Sequence, residues 1–254
     1  MDQQILTLQR QSSNDGFTPD TGTAPVGGMA GGLLILGAIG VACLWASRRS
    51  AGRGSSPASR QALHWVAQGK ALERSQQYEA AIAAYDAGLQ EHPQDYRLWH
   101  ERGLALAKLQ RFEAAIESYD RAYEICPQQS NLAHERGDAL LELGRYEEAI
   151  ASFDICLRYG EDGHILTDRA YALMQLGRHG AALPVLQRVL QQAQSGRSID
   201  PETLSRAHYY QIEVLCELQQ WQSAWQSALT AVSRYPDPYF KRQFEQIQQQ
   251  LARA

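Results

Sequence analysis

The chain has 254 residues, a net charge of −4, 44% hydrophobic residues and four cysteines. The charge is unevenly spread, −2 over residues 1–20, +4 over 46–60 and −6 over 61–254, which leaves no basic stripe for nucleic acid on the long C-terminal part. Cys43, Cys126, Cys156 and Cys216 are too far apart for a CxxC pair or a metal spacing and read as small buried residues in a reducing compartment.

Residues 1–24 are rich in Gln, Ser, Thr, Asp and Gly, and are expected to form a disordered tail. From Thr21 to Ser47 no charged residue appears, and Val26 to Ala46 is a run of 21 apolar residues and glycines, long enough to cross a bilayer core at about 1.5 Å per residue. Residues 25–47 are therefore read as one transmembrane helix, with Trp45 at an interface and Arg48, Arg49, Arg53 and Arg60 after it. Positive charge on that side puts the C-terminal part of the chain on the cytoplasmic face of a plasma or thylakoid membrane. A cleaved signal peptide fits poorly, since the arginines come after the apolar run. Gly40-Val41-Ala42-Cys43 faintly resembles a lipoprotein box, the basis of an alternative envelope or periplasmic placement. Residues 48–60 form a basic Gly/Ser linker.

The stretch Tyr96 to Gln129 then recurs with a period of 34, on the skeleton Trp99, Gly103, Leu106, Phe112, Ala115, Tyr119, Ala122 and Pro127. The first copy keeps Trp65, Gly69, Leu72, Tyr78, Ala81, Tyr85 and Pro93; the third keeps Gly137, Leu140, Tyr146, Ala149 and Phe153. A fourth, degenerate copy carries Ala170, Leu173, Ala182 and Leu186, with Pro184 near the start of its second helix, where only the first turn tolerates it. Asp200-Pro201-Glu202 reads as an N-cap followed by proline at the first helical position, which lengthens the first helix of a fifth copy. Asp237-Pro238 starts one more helix, with Tyr239, Phe240, Phe244, Ile247 and Leu251 on a single face.

These residues resemble the tetratricopeptide repeat, a helix-turn-helix unit of this period. The resemblance implies an all-α fold, a right-handed superhelical array of five repeats (62–95, 96–129, 130–162, 163–196 and 205–238) closed by a capping helix at 239–254. It also implies a protein-binding scaffold whose stacked first helices line a concave face. The layout of span, linker and repeats is similar to that of membrane-tethered bacterial and thylakoid members, photosystem assembly factors among them. The carboxylate clamp of the chaperone-binding members does not carry over, because Val66, Lys70, His134 and Asp138 stand at its positions.

Two sets of residues recur with the period. Asp86, Asp120 and Asp154 come directly after the aromatic of each second helix, while Arg102, Arg136 and Arg169 precede the small residue of the next first helix. The match is complete only if each Asp pairs with the Arg of the next repeat, giving a structural ladder that fixes stacking register. On the first-helix face, Lys70, Arg97, His100, His134, Asp138, Tyr171, Arg206 and Tyr209 mix types enriched at interface hot spots and are the candidate partner-binding residues.

No P-loop, GxSxG, HExxH or GxGxxG is present, so no enzyme, catalytic residue, cofactor or small-molecule substrate is expected. His100 and His134 recur at one repeat position, but two ligands from helices about 10 Å apart leave a zinc sphere mostly empty, and no metal is expected there. The leading expectation is a membrane-anchored adaptor for partner proteins. A non-catalytic accessory subunit of a membrane enzyme is a further alternative.

Overall fold

The computed structural model describes residues 57–253 apart from Pro236. The tail at 1–24, the span at 25–47 and the first part of the linker lie outside the described residues. Among the described residues no helix is long and apolar enough to cross a membrane.

Eleven helices make up the described residues. They are α1 (Pro57–Arg74), α2 (Tyr78–Glu91), α3 (Tyr96–Lys108), α4 (Phe112–Ile125), α5 (Ser130–Glu142), α6 (Tyr146–Leu157), α7 (Gly163–Gln175), α8 (His179–Gln194), α9 (Pro201–Glu217), α10 (Trp221–Arg234) and α11 (Pro238–Leu251). Five consecutive pairs form helix hairpins, and α11 packs on α10 as the cap. Each first helix also touches the next first helix, α1 to α3, α3 to α5, α5 to α7 and α7 to α9. The first helices thus line one side of a superhelical array, the inner face of the groove.

One boundary shifts from the sequence reading, and two helix starts fall at the caps read there. The linker does not run to Arg60, because α1 begins at Pro57, where a missing N–H and a fixed φ suit a helix start. The lengthened first helix of the fifth repeat opens at Pro201 behind the Asp200 cap, whose carboxylate accepts from the Thr203 N–H. The cap opens at Pro238 behind Asp237. Pro184 is also deeper than the first turn, lying inside α8, which starts at His179. It is tolerated because the carbonyl it cannot serve belongs to Gly180, and both residues are exposed.

One turn is reused in all five hairpins. A residue with left-handed backbone stands at the same place each time: Gln76, Gln110, Gly144, Gly177 and Gln219. The N–H of the next residue reaches back to a leucine carbonyl, Gln77 to Leu72, Arg111 to Leu106, Arg145 to Leu140, Arg178 to Leu173 and Gln220 to Leu215. That is the Schellman closure of a helix end, and it aims every second helix alike.

The hairpin crossing is set by complementary volumes sixteen positions apart. A methyl group on Gly103 would lie 2.5 Å from Cε1 of the buried Tyr119 ring, and Gly69 and Gly137 stand likewise against Tyr85 and Phe153. Repeat four relaxes the contrast to Ala170 and Leu186, and repeat five inverts it to Ile212 and Ala228, all four fully buried. The inversion keeps the crossing filled while moving the bulk from the second helix to the first. The core accordingly falls into three clusters: repeats one to three, then α7 and α8 with one face of α9, then the other face of α9 with α10 and α11.

Candidate partner-binding groove

On the outer side of the first helices, the recurring carboxylates and guanidiniums meet across repeat boundaries. Nε of Arg102 donates to Asp86 at 2.7 Å, Arg136 to Asp120 at 2.6 Å and Arg169 to Asp154 at 2.7 Å. In each pair the Arg belongs to the repeat after the Asp. Arg102 and Arg136 also donate to Ser118 and Ser152 of their own repeats, buried hydroxyls that donate in turn to the Ala114 and Glu148 carbonyls. Each arginine therefore ties its own second helix to that of the preceding repeat. Repeat four carries Gln187 and repeat five Gln211 at the corresponding positions, so the ladder stops after Arg169.

A second chain of pairs runs along the groove floor, and sequence reasoning does not reach it. Lys70 reaches Glu101 at 2.6 Å, and His100 meets Glu135 at 2.5 Å. His134 stands 3.9 Å from Asp168, and Arg206 donates to the other oxygen of that carboxylate at 2.5 Å. Every one of these contacts joins neighbouring repeats. The acids are visible as a pattern, since Glu101, Glu135 and Asp168 each immediately precede a ladder arginine. Their partners are hidden because they sit in a neighbouring repeat, the preceding one for Lys70, His100 and His134 and the following one for Arg206.

The floor is electrostatically tight. Burial works against charge on His100, yet Glu135 raises its pKa above the ordinary histidine value. Burial likewise opposes charge on His134, but Asp138 and Asp168 outweigh it and lift the pKa to about 9. Asp168 is buried, which alone would raise it; His134, Arg206 and His164 hold its carboxyl down at about 2. Burial pushes the thiols of Cys156 and Cys216 up to about 11, so neither is a reactive thiolate.

Of the eight residues expected to bind a partner, Lys70, His100, His134 and Arg206 thus contribute first to joining repeats. Arg97 is folded back onto its own helix cap, Asp95, in a two-point contact. Asp138 lies 3.6 Å from His134 on the same helix. Tyr171 packs between Tyr146 and Tyr210, with ring centroids 6.5 and 5.6 Å away, and Tyr209 stacks on Tyr239 of the cap at 4.5 Å. The structure gathers them on one face but spends much of their chemistry on the array itself.

Toward the C-terminal end the groove opens into a recess of about 430 Å³ between α7, α8, α9 and α11. Met174, Gln175, His179, Glu213, Cys216, Glu217 and Gln243 line it. In it the Glu213 carboxylate accepts from the Tyr239 hydroxyl of the cap helix at 3.4 Å. Only Gln243 of the lining residues comes from the cap helix; the others stand on repeats four and five.

The family model for the tetratricopeptide repeat matches residues 66–130 and 134–197. The chain belongs to the tetratricopeptide repeat family, whose members are protein-binding scaffolds. Among solved structures it is similar to YrrB, described as a TPR protein with an unusual peptide-binding site, at a TM-score of 0.62 and 16% identity over 74% of this chain and 96% of that one. It is also similar to MamA (residues 41 to the end) from Desulfovibrio magneticus RS-1, at a TM-score of 0.62 and 14% identity over 71% of this chain and 96% of that one. These likenesses establish the fold. No curated protein matches the chain in sequence.

Proposed function

We propose that this protein is a membrane-tethered adaptor whose repeats hold an extended segment of a partner beside a membrane complex during its assembly, a photosystem being one such complex. The uncharged run from Val26 to Ala46 supplies the tether, and the arginines after it put the repeats on the cytoplasmic side. The observation that carries the adaptor reading is the inner face itself. Five first helices stand side by side, their floor is already neutralised by inter-repeat pairs, and a recess at one end is lined by Glu213 and Glu217. An extended peptide lying along such a face meets mostly compensated charge before that recess, where Glu217 stands beside a Glu213 that already accepts from the Tyr239 hydroxyl.

Tagged full-length protein, captured from detergent-solubilised membranes, is compared with a Met174→Ala/Glu213→Gln/Glu217→Gln variant matched to it in helicity. The wild type should co-purify subunits of one membrane complex, and the variant should lose them. Equal capture by both would move the binding surface out of the recess. Extraction of the wild type by alkaline carbonate would remove the tether from the reading.

A further inference from the structure

Where repeats three and four meet, His134 on α5 converges with His164 and Asp168 on α7, and one donor atom from each lies within 4.8 Å of the others. We propose that this triad binds a borderline divalent cation, zinc foremost, and that the ion clamps the two repeats together. The site differs from the His100 and His134 pair visible in the sequence, because His100 is turned to Glu135.

The spacing suits the ion. Asp168 stands four residues after His164 on α7, so the two side chains share a face and their Nε2 and Oδ2 atoms are 3.3 Å apart. The corresponding distance from His134 Nε2 to Asp168 Oδ2 is 3.9 Å. Zinc bonds of about 2.0–2.1 Å in a tetrahedron put ligand atoms roughly 3.3 Å apart, so the His164–Asp168 edge already fits and His134 closes on the ion by moving inward from a separation of at most 4.8 Å.

Two of the three ligand atoms are also ones that the fold leaves without a hydrogen bond. The Asp168 side chain is 4% exposed, and both its Oδ2 and the Nε2 of His134 are buried with no hydrogen-bond partner. They face one another as an ion pair across 3.9 Å, too far for a hydrogen bond, and a cation between them would satisfy both at once. The surroundings orient the ligands. Arg206 takes Oδ1 of Asp168 and leaves Oδ2 for the ion. The Thr203 hydroxyl lies 3.3 Å from Nδ1 of His164, a contact that fixes the ring and presents Nε2. Asp138, 3.6 Å from His134 Nε2, is close enough to complete the sphere directly or through water. Two imidazoles with a carboxylate select zinc over calcium or magnesium, which prefer all-oxygen sites.

The full-length chain in detergent micelles, stripped by a chelator, is titrated with Zn²⁺ by calorimetry and with Co²⁺ by visible absorption. The expected result is one ion per chain, a rise in Tm on adding Zn²⁺, and the intense Co²⁺ bands of a tetrahedral site. His164→Ala should weaken Zn²⁺ binding at least tenfold, and His100→Ala should leave it unchanged; His164→Gln serves the same comparison if the alanine variant melts too low. A cluster that only shares a proton between imidazole and carboxylate would leave Tm unmoved and Co²⁺ as the pale hexaaqua ion. Either of those outcomes, or His164→Ala binding Zn²⁺ as tightly as the wild type, overturns the proposal.

Discussion

Gly103 lies so close to Tyr119 that a single added methyl group would stand 2.5 Å from the ring. The ring is buried and has nowhere to retreat. Gly103→Ala should therefore destabilise the protein by about 1–3 kcal/mol, the range for overpacking a filled core, despite alanine's better helix propensity. Repeat four shows the remedy, since Ala170 there faces Leu186. Adding Tyr119→Leu to Gly103→Ala should recover part of the loss, whereas Tyr119→Leu alone should be destabilising. Urea denaturation of the three variants checks this; additive losses in the double variant would refute the volume argument.

The Asp–Arg ladder joins repeats through half-exposed charges, so its worth is modest. A double-mutant cycle on Asp120→Asn and Arg136→Gln should give a coupling of about 0.5–1 kcal/mol, falling as salt is raised. The same cycle on Asp120 and Arg102 should give none. Arg136→Gln alone should lose more than Asp120→Asn alone, because it also strips the hydroxyl of Ser152 of its donor.

Three hairpin turns place glutamine where the backbone is left-handed, and two place glycine. An L-residue in that region is disfavoured by roughly 1–2 kcal/mol, part of which glycine returns through its larger unfolded-state entropy. Gln110→Gly should then stabilise the protein by about 0.5–1 kcal/mol, and Gly144→Gln should destabilise it by a similar amount. Paired thermal melts decide between this and a neutral outcome.

His208 sits buried against Tyr235 near Arg234, and burial with that neighbouring charge lowers its pKa to about 4. Unfolded, it titrates near 6.5. As pH falls from about 6.5 to about 4, the unfolded chain takes up a proton that the folded chain refuses, so stability drops across that window by up to roughly 3 kcal/mol. His100 and His134 act with the opposite sign, since their folded pKa values are raised and their contribution is lost as pH rises instead. His208→Phe should flatten the acid limb of the stability profile. An unchanged slope between pH 6.5 and 4.5 would show that the histidine is already protonated in the folded protein.

The hairpins and their stacking order are legible in the sequence because each repeat restates the same small-against-large crossing, Gly103 against Tyr119 being the plainest. The ladder is legible for the same reason: Asp86 and Arg102 recur together and disappear together at Gln187 and Gln211. Which side chains the groove floor consumes is not legible. Lys70 meets Glu101, and His134 meets Asp168, from unlike positions of neighbouring repeats, on side chains whose direction the period alone does not give. The depth of Pro184 is hidden as well, because nothing in a degenerate repeat marks where α8 begins.

Each first helix touches the first helices immediately before and after it, so the groove is mechanically a row of springs in series. In such a row compliances add, and the softest junction takes most of any imposed strain. Repeats one to four are braced by a ladder rung at each joint, and the junction of repeats four and five, which has none, is held instead by the Arg206–Asp168 pair and by the core that α7, α8 and α9 share. Strain imposed by a partner would therefore concentrate where one core cluster gives way to the next, between repeats three and four, the joint that His134 and Asp168 span.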